Sequence, residues 1–456
     1  MTTKKVLIFC VPLPISGKVV YNICYMTFLE GNLPIMIETM TLLPGVTLRV
    51  CRDTRFKQGC LSFQLVRQMD QAESAMNALL PAVLLRGTKN CPDLRSITEH
   101  LDELYGASVS ALVRRVGDYQ NTGLYCGFMD DRFALPGDQV LAPVIRFLEE
   151  VLLESPLENG GFLPSFVESE KKNLIATIES ELNDKRTYSM NRLLKIMCAA
   201  DPFGLPRLGE ISQVAAIDPV SLYTHFRKIL RESPIEIFYV GSAEASHVAA
   251  LLMPLLNRLE REYIPLEKQT AFRPCDGQDV VETMEVSQGK LCMGFTTPIT
   301  NRDERFPAMQ VMNTILGAGM TSKLFVNVRE KMSLCYSIGS GYYGTKGIVT
   351  VAAGIDFDKE SLTREEILRQ LDACRNGEVS EQELQAAKEA ILSSLRATHD
   401  SPNAIEGFYA TTALSGLRFG HGEYMDAVEA VTVADVVACA KLLQLHTTYF
   451  LKGGSQ

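Results

Sequence analysis

Short runs of alternating apolar and polar residues recur in the two halves of this chain. Gln58-Gly-Cys-Leu61 reappears as Gln288-Gly-Lys-Leu291, at an offset of 230 residues. Each motif opens a run in which every second residue is apolar: Leu61, Phe63 and Leu65 in one half and Leu291, Met293 and Phe295 in the other. A period of two is typical of a strand with one buried face. The pattern therefore predicts a half-buried strand at the same place in each half.

A second motif repeats at the same offset, because Leu104-Tyr-Gly-Ala107 aligns with Leu334-Cys-Tyr-Ser337. In each half the motif follows a short helical pattern, at 94–104 and 324–334, and leads into a second alternating strand. A third strand is predicted at 123–128 and 348–353. Two separate motifs that share one offset indicate an internal duplication.

Both halves also end alike. Asp218-Pro219 is typical of a helix N-cap followed by proline at the first helical position, and it predicts a helix over 220–230 before a strand over 235–241. Thr432 is the equivalent cap for a helix over 433–445 and a strand over 448–451. Strands, a helix, a hairpin, long helices and a final strand indicate an α+β fold, with helices on one face of a mostly antiparallel sheet.

Domain organisation follows from this repeat. We predict two homologous domains over 36–258 and 280–456 in a clamshell arrangement, with a linker over 259–279 that contains Pro265 and Pro274. A chain of 456 residues is too long for one ordinary core. Within the first domain, the long segment 166–197 has apolar residues at helical spacing, and its charged positions predict a solvated outer face.

Composition narrows the class of protein. Hydrophobic residues make up 46% and charged residues 22%, as in soluble globular proteins. The net charge of −9 and the lack of a basic run argue against nucleic-acid binding. The 12 cysteines contain no C-x-x-C, so we expect reduced, mostly buried thiols of a cytoplasmic protein, with a disulfide framework as the alternative.

Residues 1–35 differ from the rest of the chain. Lys4-Lys5 precedes an apolar run that Pro12 and Pro14 interrupt, and the run is too short to span a bilayer. We predict a poorly packed extension or a start codon placed too early, with a signal peptide or anchor as the alternative. No other stretch predicts a stable membrane insertion.

Ala78-Leu-Leu-Pro-Ala82 lies on a predicted apolar helix that ends in Leu-Leu-Arg-Gly-Thr88. A duplicated α+β unit with this ending resembles the insulinase/pitrilysin-type zinc peptidases, the inverzincins, from about residue 40 to the C-terminus. Active members carry H-x-x-E-H on this helix, in which two histidines bind Zn²⁺ and the glutamate activates water. The resemblance thus implies where a metal site would lie.

Every position of that site carries the wrong residue. Aligned on Gly87-Thr88, the histidines fall at Ala78 and Ala82 and the glutamate at Pro81, and the third ligand falls at Ala176 or Thr177. The side chains of Ala78, Pro81 and Ala82 cannot bind a metal or take a proton. No two of the six histidines lie three to five residues apart, so we predict no metal and no cofactor.

Pro81 carries its own prediction. A proline inside a helix removes a hydrogen bond and clashes with the preceding turn, at a cost of ~3 kcal/mol. We therefore expect a kink or a helix start at this position. The methyl groups of Ala78 and Ala82 predict a packed core or a modest apolar pocket in place of imidazoles.

The run from Gly319 to Ser337 matches the family's second-domain motif. The resemblance implies that Arg329 and Tyr336 bind substrate, since active members use an arginine and a tyrosine seven residues apart to contact the peptide backbone and support the oxyanion. The alternative is that Arg329 pairs with Glu330 or Asn327, and that Tyr336 is simply a strand residue.

Within the family, the first half is most similar to a zinc-less bacterial branch that resembles the silent subunit of a paired peptidase. The resemblance implies an inactive homologue that binds peptide or unfolded protein, or forms a heterodimer with a zinc-bearing homologue and completes its chamber. Two alternatives are a scaffold subunit and an active hydrolase with a rearranged site. The candidates for such a site are Glu168, Glu170, Glu179, Glu181, His225 and Arg329.

Overall fold

The computed structural model describes residues 9–15, 18–25, 36–273 and 275–454, the first two stretches by their backbone alone. The predicted extension over 1–35 falls largely outside these described residues and stays a prediction. The strands are β1 Phe9–Ile15, β2 Lys18–Tyr25, β3 Ile37–Leu43, β4 Val46–Arg52, β5 Gln58–Gln68, β6 Ser108–Val116, β7 Tyr119–Met129, β8 Leu157–Glu158, β9 Gly161–Phe162, β10 Ile235–Gly241, β11 Asp279–Met284, β12 Gly289–Thr296, β13 Cys335–Tyr343, β14 Ile348–Ile355 and β15 Gln444–Gly453.

The α-helices alternate with these strands. They are α1 Ser74–Leu84, α2 Leu94–Glu103, α3 Leu141–Leu153, α4 Pro164–Asn183, α5 Lys185–Met197, α6 Ile211–Ala216, α7 Pro219–Glu232, α8 Ala245–Asn257, α9 Phe306–Asn313, α10 Glu360–Arg375, α11 Glu381–Ala397, α12 Pro402–Ser415, α13 His421–Ala430 and α14 Val433–Lys441. Two π-helical segments lie at Thr314–Ala318 and Leu324–Lys331.

The strands form two large mixed sheets with the same plan. The first has the order β1-β2-β3-β4-β10-β5-β7-β6, and the second has the order β11-β15-β12-β14-β13. In each, the last strand of the half (β10 or β15) is parallel to one neighbour and antiparallel to the strand that the Gln-Gly motif opens (β5 or β12). The α+β fold and the duplicated, mostly antiparallel sheets are therefore confirmed.

Several predicted elements match closely. The strand predicted at 235–241 is β10, and Asp218 caps α7 by accepting hydrogen bonds from the backbone N–H groups of Val220 and Ser221. Thr432 caps α14, but that helix ends at Lys441 because β15 already begins at Gln444. The predicted helix 324–334 is a π-helix that ends at Lys331.

The chain divides into two compact units that exchange segments. Unit 1 comprises Met1–Ile178, Arg207–Lys268 and Thr398–Leu414, and unit 2 comprises Glu179–Pro206, Gln269–Ala397 and Ser415–Gln456. The predicted domains follow chain order, whereas each unit takes one segment from the other half of the sequence. The predicted linker is likewise divided, between Lys268 and Gln269.

Unit 1 packs helices on both faces of its sheet. Helices α1, α3, α7 and α8 form the main core against one face. On the other face, Ile405 and Ala410 of α12 pack against Cys60, Phe238 and Val240 of the sheet. Helix α12 thus covers the face of the sheet on which the sequence pattern predicted no helix.

Unit 2 includes helix α5, although this helix belongs to the first half of the sequence. Its Leu193 packs against Cys292 of β12 and Tyr449 of β15. The helical pattern of 166–197 is broken at Asp184, whose carboxylate caps α5 by accepting from the Arg186 N–H. The break separates α4 from α5, so the apolar positions of α5 serve the core of unit 2.

Two further observations bear on the composition. All ten cysteines whose side chains the structure describes are free, and only Cys275 among them is not buried. Within the described part of the chain, no helix is both long and apolar enough to cross a membrane.

Candidate functional site

Helix α1 carries the positions of the missing metal ligands, and Pro81 lies inside it. The helix begins at Ser74, seven residues earlier, so the alternative of a helix start at this position is wrong. A proline at position 81 leaves the carbonyl of Asn77 without its helical N–H partner. That carbonyl instead accepts a hydrogen bond from the Thr122 hydroxyl of β7, at 2.6 Å. The sheet supplies the donor that the proline removes, so the helix continues to Leu84.

A buried polar network surrounds this turn of α1. The side-chain Nδ2 of Asn77 donates to Gln120 Oε1 at 3.0 Å, which leaves Asn77 Oδ1 as an acceptor. His225 of α7 lies 2.7 Å from that oxygen, so its Nε2 carries the proton. Gln120 Nε2 in turn donates to the carbonyls of Ser74 and Arg207, at 3.0 and 2.7 Å. These bonds join α1 to the sheet and to α7.

The ligand positions themselves do not fit zinc. Ala78 is buried in the core of unit 1 and Ala82 is half-buried, while Ala176 and Thr177 lie on the exposed face of α4. Across the described residues, no three His, Cys, Asp or Glu side chains group in a way that could hold a metal ion. A donor set of methyl groups and a pyrrolidine ring offers zinc no lone pair.

The Arg86-Gly87-Thr88 ending has structural partners. Arg86 pairs with Glu170 of α4 at 3.3 Å. A Cβ on Gly87 would lie 2.6 Å from the carbonyl oxygen of Pro92, so only glycine fits there. The Thr88 hydroxyl donates to Glu150, and its oxygen accepts from the Cys91 N–H at 3.0 Å. The motif therefore closes the loop after α1.

Three of the residues proposed for a rearranged hydrolase site, Glu168, Glu170 and His225, have separate partners. Glu168 pairs with Lys171 at 2.9 Å, and Glu170 is held by Arg86. His225 is committed to Asn77, and Glu179 is exposed on α4. Glu181 is half-buried near the end of the same helix. None of these contacts joins a nucleophile to a base.

His225 predicts a pH dependence of stability. Burial lowers the pKa of its imidazole from the ordinary 6.5 to about 4. Between these values the unfolded chain binds a proton that the folded chain does not, so the free energy of unfolding should fall as the pH falls from 6.5 to 4. The contribution of this one group is about 3 kcal/mol. About 2 kcal/mol of it is lost between pH 7 and pH 5, and urea unfolding at these two pH values measures that loss.

The matched variant for this experiment is His225→Gln, which keeps an N–H donor for Asn77 and cannot titrate. We expect the variant to lose less stability than the wild type between pH 7 and pH 5. Equal losses in the two proteins would show that the imidazole is not buried in its neutral form. Glu73 is present in both proteins and interacts electrostatically with His225, so the difference between the two losses reports His225 together with this interaction.

Arg329 lies in a cleft of unit 2 with a volume of about 360 Å³. Its Nε donates to the carbonyl of Tyr336 at 3.0 Å, and one Nη lies 3.1 Å from Glu330. The guanidinium stacks over the ring of Phe325, with its carbon 4.6 Å from the ring centroid. Glu330 is thus the neighbour found, whereas Asn327 bonds to Gln370 and Lys331. The second Nη has no partner among these contacts, and Arg329 lines the cleft.

Tyr336 borders the same cleft with 61% of its surface exposed. Its hydroxyl donates to Asp356 Oδ1 at 2.8 Å. The pairing of β13 with β14 shifts register between Cys335 and Ser337, so Tyr336 is the extra residue of a β-bulge. A bulge redirects the side chain that it carries. The structure therefore brings Arg329 and Tyr336 together, while their role in binding substrate stays a prediction.

Irregular backbone frames this pair on both sides. Arg329 lies on the eight-residue π-helix Leu324–Lys331. Ser333, between the two residues, has φ of +51°, which few non-glycine residues adopt. Rare π-helices, positive φ and bulges cost free energy and concentrate at functional sites. The pattern of apolar residues could not reveal them, because all three are departures from regular periodicity.

A second cleft, which sequence reasoning missed, lies on unit 1. It has a volume of about 610 Å³ and is lined by Ser108, Ser110 and Arg114 of β6, by Tyr125 of β7 and by Pro402 of α12. Strand β6 is the outer strand of its sheet, so one row of its backbone groups has no strand partner among the described residues. Arg207 Nη1 caps one of them, the Val113 carbonyl, at 3.0 Å. An uncovered edge beside a polar groove suits an extended peptide.

Comparisons with known proteins bear on these features. The model of a family described as the peptidase M16 inactive domain matches residues 216–391. The probable inactive metalloprotease YmfF of Bacillus subtilis (strain 168) is 31% identical over 409 residues, which cover 90% of this chain and 96% of that protein. The uncharacterized zinc protease YmxG of the same strain is 31% identical over 231 residues, 50% of this chain and 53% of that protein.

The fold agrees with these matches. A crystal structure of a conserved protein from Enterococcus faecalis V583 superposes with a TM-score of 0.84 and 26% sequence identity, over 92% of this chain and 99% of that one. Identity to YmfF extends over nearly the whole chain. The duplicated sheets, and a helix α1 without metal-binding side chains, agree with this match. The chain therefore belongs to the insulinase/pitrilysin-type M16 peptidase family, among its inactive homologues.

Proposed function

We propose that this protein is a non-catalytic peptidase homologue that binds extended peptide and pairs with a zinc-bearing homologue in the cytoplasm. The observation that carries the proposal is the Arg329–Tyr336 cleft, which has a costly irregular backbone although α1 offers zinc no ligand. A π-helix, a positive φ and a bulge each cost free energy, and contact of the half-buried Arg329 and the exposed Tyr336 with a ligand would explain why all three lie here.

Two further observations support it. The groove beside β6 offers a sheet edge to which an extended chain could add as a strand. For the pairing, Bacillus subtilis (strain 168) has relatives of this chain whose names denote both an inactive metalloprotease and a zinc protease. A silent partner would supply binding surface, and the zinc-bearing partner would supply the metal and the water that it activates.

The test combines metal analysis with peptide hydrolysis. After incubation with zinc and desalting, we expect the purified chain to retain far less than one equivalent of metal and to cleave no fluorogenic peptide. Mixed with a zinc-bearing homologue from the same source, it should form a complex on gel filtration and raise the rate of cleavage. Arg329→Ala should lower kcat/KM of that mixture about 10- to 100-fold, since it removes hydrogen bonds from a charged donor.

Arg364→Ala is the matched control, because Arg364 is a part-exposed arginine of unit 2 that pairs with Asp279 outside the cleft. It should leave kcat/KM unchanged. Stoichiometric zinc, or hydrolysis by the chain alone, would overturn the proposal. So would a mixture whose activity equals that of the zinc-bearing homologue by itself.

A further inference from the structure

The direction of the hydrogen bond between Tyr336 and Asp356 decides which group of a ligand the Tyr336 hydroxyl can bind. A phenol has a single O–H, and that of Tyr336 donates to Asp356 Oδ1 at 2.8 Å. The other carboxylate oxygen of Asp356 lies 2.8 Å from the ammonium of Lys359. The hydrogen bond from Lys359, followed by that from Tyr336, lowers the pKa of Asp356. An ionised carboxylate only accepts, so the phenol must be the donor, and its remaining hydrogen-bonding capacity is its oxygen.

The same chain contains this arrangement with the oxygen already occupied. Tyr105 of unit 1 is an exposed tyrosine whose hydroxyl donates to Asp138. Its oxygen accepts a hydrogen bond from the backbone N–H of Leu135, at 3.1 Å. A tyrosine that is held by an aspartate thus binds a backbone N–H in this protein. Tyr336 makes the same donor contact with an aspartate, and its side chain lines the cleft.

Arg329 presents the opposite chemistry in that cleft. Its Nε and one Nη are used by the Tyr336 carbonyl and by Glu330, and the guanidinium has further N–H groups but no acceptor. The positive charges of Arg329 and Lys359 are each matched by a carboxylate, Glu330 or Asp356. A cleft with balanced charge favours a neutral ligand over a free carboxylate or a phosphate.

We propose that Asp356 and Lys359 are positioning residues that make the Tyr336 oxygen a hydrogen-bond acceptor. The cleft then binds one uncharged peptide group. Tyr336 accepts the N–H of the bound peptide, and Arg329 donates to a carbonyl. The inference rests on the proposed function, since it needs a peptide ligand. It differs from the role that the resemblance implies, in which the tyrosine donates to a carbonyl.

Backbone N-methylation separates the two roles, because it removes an N–H and keeps the carbonyl. The probe is a set of fluorescein-labelled, uncharged nonapeptides in which each backbone amide is methylated in turn, with binding measured by fluorescence anisotropy. We expect methylation at one amide to weaken binding to the wild type about 2- to 10-fold through loss of this hydrogen bond. Tyr336→Phe should bind the parent peptide that much more weakly and should be insensitive to that methyl group.

Asp356→Ala frees the phenol proton and should also reduce the effect of methylation, with an unchanged melting temperature because the side chain is exposed. Tyr105→Phe is the matched control and should keep the full sensitivity of the wild type. If Tyr336→Phe keeps that sensitivity, the tyrosine is not the acceptor and this inference alone fails. If the wild type binds none of the peptides, the proposed peptide-binding function fails with it.

Discussion

An Asp201→Ala variant should lose about 3–5 kcal/mol of unfolding free energy, because it leaves an ammonium group buried without its counter-ion. Lys346 Nζ lies 2.9 Å from one oxygen of Asp201, and both side chains are 0% exposed. The same carboxylate accepts the backbone N–H groups of Phe203 and Arg273, at 2.8 and 2.9 Å. Asp201 thus holds three separate stretches of unit 2 together. Urea unfolding, monitored by circular dichroism, measures the loss.

A double variant tests the cause of that loss. Asp201→Ala combined with Lys346→Met removes both charges, and we expect it to recover part of the stability that the single variant loses. Asp303→Ala is the control, since Asp303 makes a more exposed pair with Arg305 at 2.7 Å and should cost at most about 1 kcal/mol. A cost of less than about 1 kcal/mol for Asp201→Ala would mean that water reaches Lys346, contrary to its burial.

Replacing Glu406 by alanine should cost about 3 kcal/mol and should loosen α12 before the rest of unit 1. The carboxylate is 0% exposed and accepts two hydrogen bonds from Arg114, at 2.9 and 2.8 Å. It also accepts from Ser62 Oγ at 2.7 Å and from Gln64 Nε2 at 3.0 Å. The estimate is at the lower end for a buried pair because the Arg114 side chain is 29% exposed and water can solvate it.

Hydrogen exchange is the informative measurement here. Amides of α12 should exchange faster in Glu406→Ala than in the wild type, while those of α7 keep their protection. Glu389→Ala, on an exposed face of α11, should change neither. Since Arg114 and Pro402 line the groove of unit 1, the Glu406 variant should also weaken any peptide that binds there. Unchanged protection of α12 would show that the apolar packing of Ile405 and Ala410 is sufficient to hold the helix.

The duplicated plan was readable in the sequence because its signals are local. Gln58 opens β5, and its counterpart at an offset of 230 residues, Gln288, directly precedes β12 at Gly289, as the alternation of apolar residues predicts. Asp218 and Thr432 cap the helices that they were expected to cap. Each of these features depends on a few neighbouring residues and on the period of the backbone, so no distant contact is needed to read it.

The site was readable only in part. The lack of metal ligands at Ala78, Pro81 and Ala82 follows from residue identity alone. That α1 continues past Pro81 could not be predicted in this way, because it depends on the hydroxyl of Thr122, more than 40 residues further along the chain. Nor could the sequence show that Asp356 accepts a hydrogen bond from the Tyr336 hydroxyl, since that pairing depends on the bulge in β13.

The sequence by itself determined the class of fold, its duplication, the family resemblance and the lack of zinc ligands, because periodicity, caps and side-chain chemistry are properties of short stretches. Only the tertiary structure decided which segments each compact unit contains, with α5 in unit 2 and α12 in unit 1, and which polar groups are buried together. The physical reason is that buried charges such as Asp201 and Glu406 are stable only beside partners that lie far away in the chain. No local pattern specifies which partners those are.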